Sequence, residues 1–309
     1  MRRRSILALV ACAALAVAAG CAVTPDLSRE TLEARYLAAP QDMRQVAGTS
    51  LHVRDTGPRD ARAVVMIHGT ASSLHTWEDW AQGLEGDFRV IRFDLPGSGL
   101  SPPDVTADYS DERSVALIAA LMTDLDVGRA ALIGNSLGGR IAWRFAAAHP
   151  QRTSRLVLVA PDGFASPPFE YDKAIELSPV FNLIEYVLPR PLLRSNLEVA
   201  YADPAKLDDA TLARYHDLLR APGGRAALLE RFRQTVLTDP EPLLAGIDIP
   251  VLLLWGEEDG MIPITNAADY ERSLPDATLV PLPGIGHVPQ EEAPAASLAP
   301  VRAFLMQGE

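Results

Sequence analysis

The residues of this chain best placed to do chemistry are a serine between glycines and a histidine behind glycines. Ser136 lies in Gly134-Asn135-Ser136-Leu137-Gly138-Gly139, and His287 in Gly284-Ile285-Gly286-His287. A serine hydroxyl attacks a carbonyl when a base takes its proton and a third group holds that base. His287 is the expected base. Asp259, after Trp255-Gly256, is the expected orienting acid, with Glu257 and Glu258 as near rivals and Asp162 as a remoter one. The oxyanion of a tetrahedral intermediate needs two backbone donors. The expected pair is the amide of Leu137, directly after the nucleophile, and that of Thr70, after the strand ending at Ile67. His68 reads as a residue that fixes this loop, and His52, His75, His149 and His216 as structural or exposed.

The elements that must position these groups follow from hydrophobic pattern. Ala130 to Ile133 is an apolar run short enough for a buried strand, and it leaves the motif as Ile141, Trp143 and Phe145 among alanines, a helical pattern. Ser136 then sits on a sharp strand-to-helix turn, where Gly134 and Gly138 leave room for the two backbones to approach. Other buried strands are expected at 63–67, 89–93, 155–159, 250–256 and 278–282, with helices at 77–84, 114–125, 265–273 and 294–306. A hairpin is expected across Gly48-Thr49-Ser50. Strands alternating with helices predict an α/β fold, a doubly wound and mostly parallel sheet. The pattern breaks between 164 and 242, where prolines and helical pieces such as 207–219 and 225–237 predict a helical cap inserted in a core formed by 43–163 and 243–309. Phe164, Phe169, Tyr171, Phe181 and Tyr186 could line a pocket beneath it or form its own small core. Arg190 and Arg194 are candidates for a substrate carboxylate or for plain solvated surface.

The first 20 residues do not belong to this fold. Arg2-Arg3-Arg4 is a positive n-region and 6–19 an apolar h-region, as in a secretory signal peptide, and the apolar span is short for a membrane-spanning helix. Ala18-Ala19-Gly20-Cys21 resembles a bacterial lipobox, with lipidation at Cys21 and anchoring in the cell envelope. The alternatives are a signal cut after Ala16-Val17-Ala18, giving a soluble periplasmic or secreted protein, and an uncleaved anchor. Residues 21–42 read as a tether and N-terminal segment, with a short helical piece at 27–37.

Composition narrows the chemistry. The only cysteines are Cys12 and Cys21, so the domain beyond the signal carries neither a cysteine nucleophile nor a Cys-based metal site. With 40 acidic against 28 basic residues and a formal charge of -12, the chain lacks the basic face that nucleic acid requires. Its 309 residues, 48% of them hydrophobic, suffice for one large α/β domain with an insertion, with two domains as the alternative.

Taken together, His68-Gly69-Thr70, Asp94-Leu95-Pro96-Gly97-Ser98-Gly99, Gly134-Asn135-Ser136-Leu137-Gly138-Gly139, Trp255-Gly256-Glu257-Glu258-Asp259 with Ile262-Pro263, and Gly286-His287 with Pro289 and Glu292 resemble the α/β-hydrolase superfamily, in its cap-bearing branch. The resemblance spans residues 44–306. It implies a Ser136, Asp259, His287 triad, an acyl-enzyme route, and no metal or organic cofactor. Dehalogenases and epoxide hydrolases of this kind carry Asp where Ser136 stands. The Gly-Asn-Ser-x-Gly-Gly wording, with Asp162-Gly163 after the next strand, resembles hydrolases that cleave carbon-carbon bonds in ring-fission products of aromatics. Those usually show a Gly-rich oxyanion loop and an aromatic residue after the histidine, whereas here stand Thr70-Ala71-Ser72-Ser73 and Val288. The expectation is therefore an exported hydrolase of carboxylic esters acting on a small-molecule substrate, with a carbon-carbon hydrolase and a noncatalytic envelope binding protein as alternatives.

Overall fold

The computed structural model describes residues 23–165 and 170–307. The segment read from sequence as a signal, with Cys12 and Cys21, therefore lies outside the described residues, as does Phe169. Among the described residues no helix is long and apolar enough to cross a membrane.

Eight strands form one sheet in the order β1-β2-β4-β3-β5-β6-β7-β8. β1 (Met43–Val46) and β2 (Thr49–Thr56) make the hairpin, and β2 pairs antiparallel with β4 (Arg89–Phe93). All other pairings are parallel: β4 with β3 (Ala63–Ile67), then β5 (Ala130–Asn135), β6 (Thr153–Val159), β7 (Val251–Gly256) and β8 (Ala277–Leu282). Every residue of β3, β4, β5 and β7 is buried, because helices cover both faces of a parallel sheet.

Side chains alternate between the faces with period two. Val65, Ile67, Ile91, Phe93 and Leu132 join Ile141, Trp143 and Phe145 of the helix Leu137–Ala148 on one side. Val64, Met66, Val90 and Ile133 meet Trp77, Trp80, Val301 and Leu305 on the other. At about 1.5–3 kcal/mol per fully buried apolar side chain, this two-sided burial rather than intrinsic propensity fixes the strand positions. Parallel strands end on one edge of the sheet, so the segments after β3, β5, β6, β7 and β8 are brought together there.

Between β6 and β7 the described chain is helical, with Arg190–Glu198, Asp209–Leu218, Gly224–Gln234 and Glu241–Leu244. A bridge between Ala174 and Val236 is the one extended pairing there among the described residues. Leu188, Leu193, Leu212 and Tyr215 form a small core of this insertion, which is built without Phe164, Phe181 or Tyr186. Phe181 and Tyr186 are exposed. The N-terminal helix Arg29–Tyr36 packs through Leu32 against Leu218 and Ala221 of the insertion. Thr24 N–H donates to Tyr186 O at 2.8 Å and Leu27 N–H to Arg220 O at 2.8 Å, so residues 23–28, read from sequence as tether, lie against the insertion.

Candidate active site

β5 runs into Ser136, whose φ of 54° and ψ of -122° put a non-glycine residue in a strained conformation costing of order 1–3 kcal/mol. The fold holds it from both sides. Ser136 N–H donates to Val159 O at 3.0 Å, and Ser136 O accepts from Arg140 N–H and Asp162 N–H at 3.1 and 3.0 Å. The motif glycines have a steric cause: a Cβ at Gly138 would stand 2.1 Å from Ile67 O, and one at Gly134 would stand 2.1 Å from Gly138 O. The helix Leu137–Ala148 thus starts against the end of β3, and its positive N-terminal end faces the serine.

His287 is fixed from three directions. Its Nδ1–H donates to Asp259 Oδ2 at 2.7 Å, its backbone N–H donates to Ala200 O at 2.7 Å, and its carbonyl accepts from Asn135 Nδ2 at 3.1 Å. Asp259 is itself held, since its Oδ1 accepts the amides of Met261 and Ile262, both at 2.8 Å. Among the candidate acids only Asp259 reaches the imidazole. Glu257 and Glu258 are exposed, and Asp162 pairs with Arg140 at 2.9 Å.

Ser136, His287, Thr70 and Leu137 share the wall of one cavity of about 240 Å³. No acceptor among the described residues takes the amide of Thr70 or of Leu137, which leaves both donors available to an oxygen in the cavity. Nor does a protein hydrogen bond join the Ser136 hydroxyl to the imidazole among the described residues; such contacts commonly tighten only around bound substrate. The wall is otherwise largely apolar, with Phe164, Ile175, Leu228, Phe232, Leu237 and Ile262.

His68 has the role expected of it. Nδ1–H donates to Gly69 O at 2.8 Å and Nε2 accepts Leu95 N–H at 3.0 Å, an arrangement that requires a neutral ring. Burial lowers its pKa in the same sense, against the pull of Asp94. Of the other histidines, His52 is fully buried and pairs with Asp94 at 2.8 Å, and His216 Nε2–H donates to Leu188 O at 3.1 Å. Arg194 pairs with Asp209 at 2.5 Å and Arg190 is exposed, so neither of these arginines lies on the cavity wall.

Three positions at the site escaped the sequence reading or were read only as motif. Asn135 ties the end of β5 to the His287 loop, donating to Val159 O as well as His287 O, both at 3.1 Å. The buried Glu292 collects Gly286 N–H at 2.6 Å, Ala202 N–H at 3.2 Å and Asp203 N–H at 2.9 Å, so one carboxylate clamps the histidine loop to the insertion. Gly286 is needed for this approach, because a Cβ there would lie 2.5 Å from Ala200 O. The third is Arg231. Leu228, Arg231, Phe232 and Thr235 all line the cavity at i, i+3, i+4, i+7 spacing, a periodicity that sequence alone displays.

This fold and site define a serine hydrolase of the α/β class. A family model described as the alpha/beta hydrolase fold matches residues 62–181. A component of the acetoin cleaving system from Pseudomonas putida, named as a dihydrolipoyllysine-residue acetyltransferase, is 30% identical over 274 residues, covering 86% of this chain and 69% of its own length. A 2-hydroxy-6-oxononadienedioate/2-hydroxy-6-oxononatrienedioate hydrolase from Cupriavidus pinatubonensis is 29% identical over 253 residues, covering 78% and 86%. Among solved structures, the esterase RhEst1 from Rhodococcus sp. ECU1013 superposes with a TM-score of 0.71 at 26% identity, covering 85% of this chain and 98% of its own. The chain belongs to the α/β-hydrolase fold family, and it is an enzyme.

Proposed function

We propose that the chain is an exported hydrolase of carboxylic esters working through an acyl-enzyme. His287 Nε2 takes the proton of Ser136 Oγ as the hydroxyl attacks the ester carbonyl, while Asp259 holds the opposite ring nitrogen in its protonated form. The amides of Thr70 and Leu137 receive the oxyanion. His287 then protonates the departing alcohol, and a water molecule, deprotonated by the same imidazole, releases the acid. The insertion at 164–242 serves as the cap that selects the acyl group.

One observation carries this reading: a strained serine and a carboxylate-held histidine share a cavity with two unengaged amides. The relatives named as 2-hydroxy-6-oxononadienedioate and 2-hydroxy-6-oxo-6-phenylhexa-2,4-dienoate hydrolases support a second reading, cleavage of a carbon-carbon bond in a dienone acid by the same serine. Against it, Val288 is buried beside Ala200, Tyr201 and Leu207 instead of placing an aromatic ring next to the histidine.

The test is intact-mass spectrometry of the domain after exposure to a fluorophosphonate, with Ser136→Ala alongside, followed by rates on simple esters and on a dienone acid. One adduct on the parent and none on the variant, with turnover of esters, is the expected result. No adduct on a folded parent would defeat the serine hydrolase mechanism and favour a binding protein on this scaffold. Preferential turnover of the dienone acid would move the activity to carbon-carbon cleavage.

A further inference from the structure

The charged groups on the cavity wall do not balance. Arg140 faces two carboxylates, Asp111 at 3.1 Å and Asp162 at 2.9 Å. Arg231 faces none: it is 6% exposed, and its partners among the described residues are two carbonyls, Pro96 O at 3.1 Å and Tyr109 O at 3.4 Å, with the Tyr109 ring centroid 5.3 Å from Cζ. Burial pulls its pKa down to about 10, partly offset by Asp111, by the adjoining Tyr109 and by Asp104, while the Arg140 cation lowers it further, so the guanidinium stays charged at neutral pH. A buried cation that no carboxylate touches is costly, and a fold that keeps one on the wall of the cavity that holds the serine leaves room for an anion that enters to compensate it.

Resting on the ester reading above, we propose that Arg231 is a subsite for a carboxylate carried by the substrate, so that the enzyme's substrates are monoesters of dicarboxylic acids. Two of the five guanidinium N–H donors are spent on carbonyls, which leaves donors in the planar arrangement that a carboxylate accepts. The apolar side chains Leu228, one turn before Arg231, and Phe232, the residue after it, line the same cavity and suit the methylene chain between the anionic end and the scissile ester. Arg140 is excluded from this role because its charge is already met within the protein.

The experiment compares mono-4-nitrophenyl glutarate with 4-nitrophenyl valerate, which match in chain length and differ in the terminal carboxylate. The readout is the ratio of their kcat/KM values in the parent, Arg231→Gln and Arg231→Lys. Gln keeps amide donors for the two carbonyls and removes the charge; Lys keeps the charge. The parent should favour the glutarate ester. Arg231→Gln should lower the ratio by roughly 10- to 100-fold, the worth of a hydrogen bond to a charged group, chiefly through KM, and Arg231→Lys should restore part of it. A purely structural staple would lower both rates together and leave the ratio unchanged, which overturns the proposal, as does a parent that does not favour the anionic ester. If neither ester turns over, the ester reading falls, and calorimetry with monomethyl glutarate on Ser136→Ala decides the subsite. Heat that disappears in Ser136→Ala/Arg231→Gln upholds the subsite, and no heat on Ser136→Ala refutes it.

Discussion

Asp259→Asn isolates the step on which the whole mechanism turns. The native carboxylate is buried and held at both oxygens: Oδ1 accepts two backbone amides at 2.8 Å and Oδ2 accepts His287 Nδ1–H at 2.7 Å. Asparagine fits the same space with one oxygen and one NH₂. If the NH₂ took the Oδ1 position it would face two donors, leaving two part-buried N–H groups without an acceptor, at up to about 1–3 kcal/mol each. The oxygen therefore stays with Met261 and Ile262, and the NH₂ is turned toward His287. The imidazole must then present a lone pair at Nδ1 and carry its proton on Nε2, the atom that has to accept from Ser136. A neutral histidine has a single such lone pair, so the base is lost while the geometry is retained. The expected loss is about 10³–10⁴-fold in kcat/KM on a 4-nitrophenyl ester, equivalent to about 4–5.5 kcal/mol of transition-state stabilisation. Since the hydrogen bonds are kept in number, the melting temperature should move by less than about 4 °C. Initial rates and a circular-dichroism melt on the same preparations decide the matter. Activity within tenfold of the parent at an unchanged melting temperature would refute the tautomer argument and the role of Asp259.

Two further outcomes are expected. Gly138→Ala puts a methyl 2.1 Å from Ile67 O and 2.7 Å from His68 O, both backbone atoms, so β3 and its helix must separate; a loss of about 1–3 kcal/mol or more and collapse of ester turnover should appear together, whereas parent-like melting and activity would show that the close packing is dispensable. For the proposed lipid anchor, Cys21→Ser in the full chain should move the protein from the detergent phase to the aqueous phase in a partitioning assay. Unchanged partitioning would point to an uncleaved helix, and aqueous partitioning of the parent to simple secretion.

Pattern periodicity is a local property, and where local preference sufficed the chain could be read directly. Ala63–Ile67, Arg89–Phe93 and Val251–Gly256 are continuous apolar runs because both their faces are covered, and the structure has strands at each. Boundaries were less legible. The strand expected from 155 begins at Thr153, and the helix expected from 114 begins at Asp111, because Ser110 caps it through the amide of Arg113 at 3.1 Å. The helical piece expected to reach 237 stops at Gln234, and Val236 instead bridges to Ala174.

By itself, the sequence determined the class of protein. Glycines around Ser136 and His287, placed after strands in the order serine, acid, histidine, demand a parallel sheet whose strand ends converge. What the tertiary structure alone decided was which charge meets which. Asp259 rather than Glu257, Glu258 or Asp162 reaches the imidazole, because the amides of Met261 and Ile262 turn that one carboxylate inward. Glu292 became a clamp because residues 202, 203 and 286 bring three amides to it. Arg231 became a buried cation with no carboxylate in contact because its hydrogen-bond partners are the carbonyls of residues 96 and 109. A side chain's electrostatic environment is a sum over neighbours distant in sequence, and only folding determines which neighbours those are.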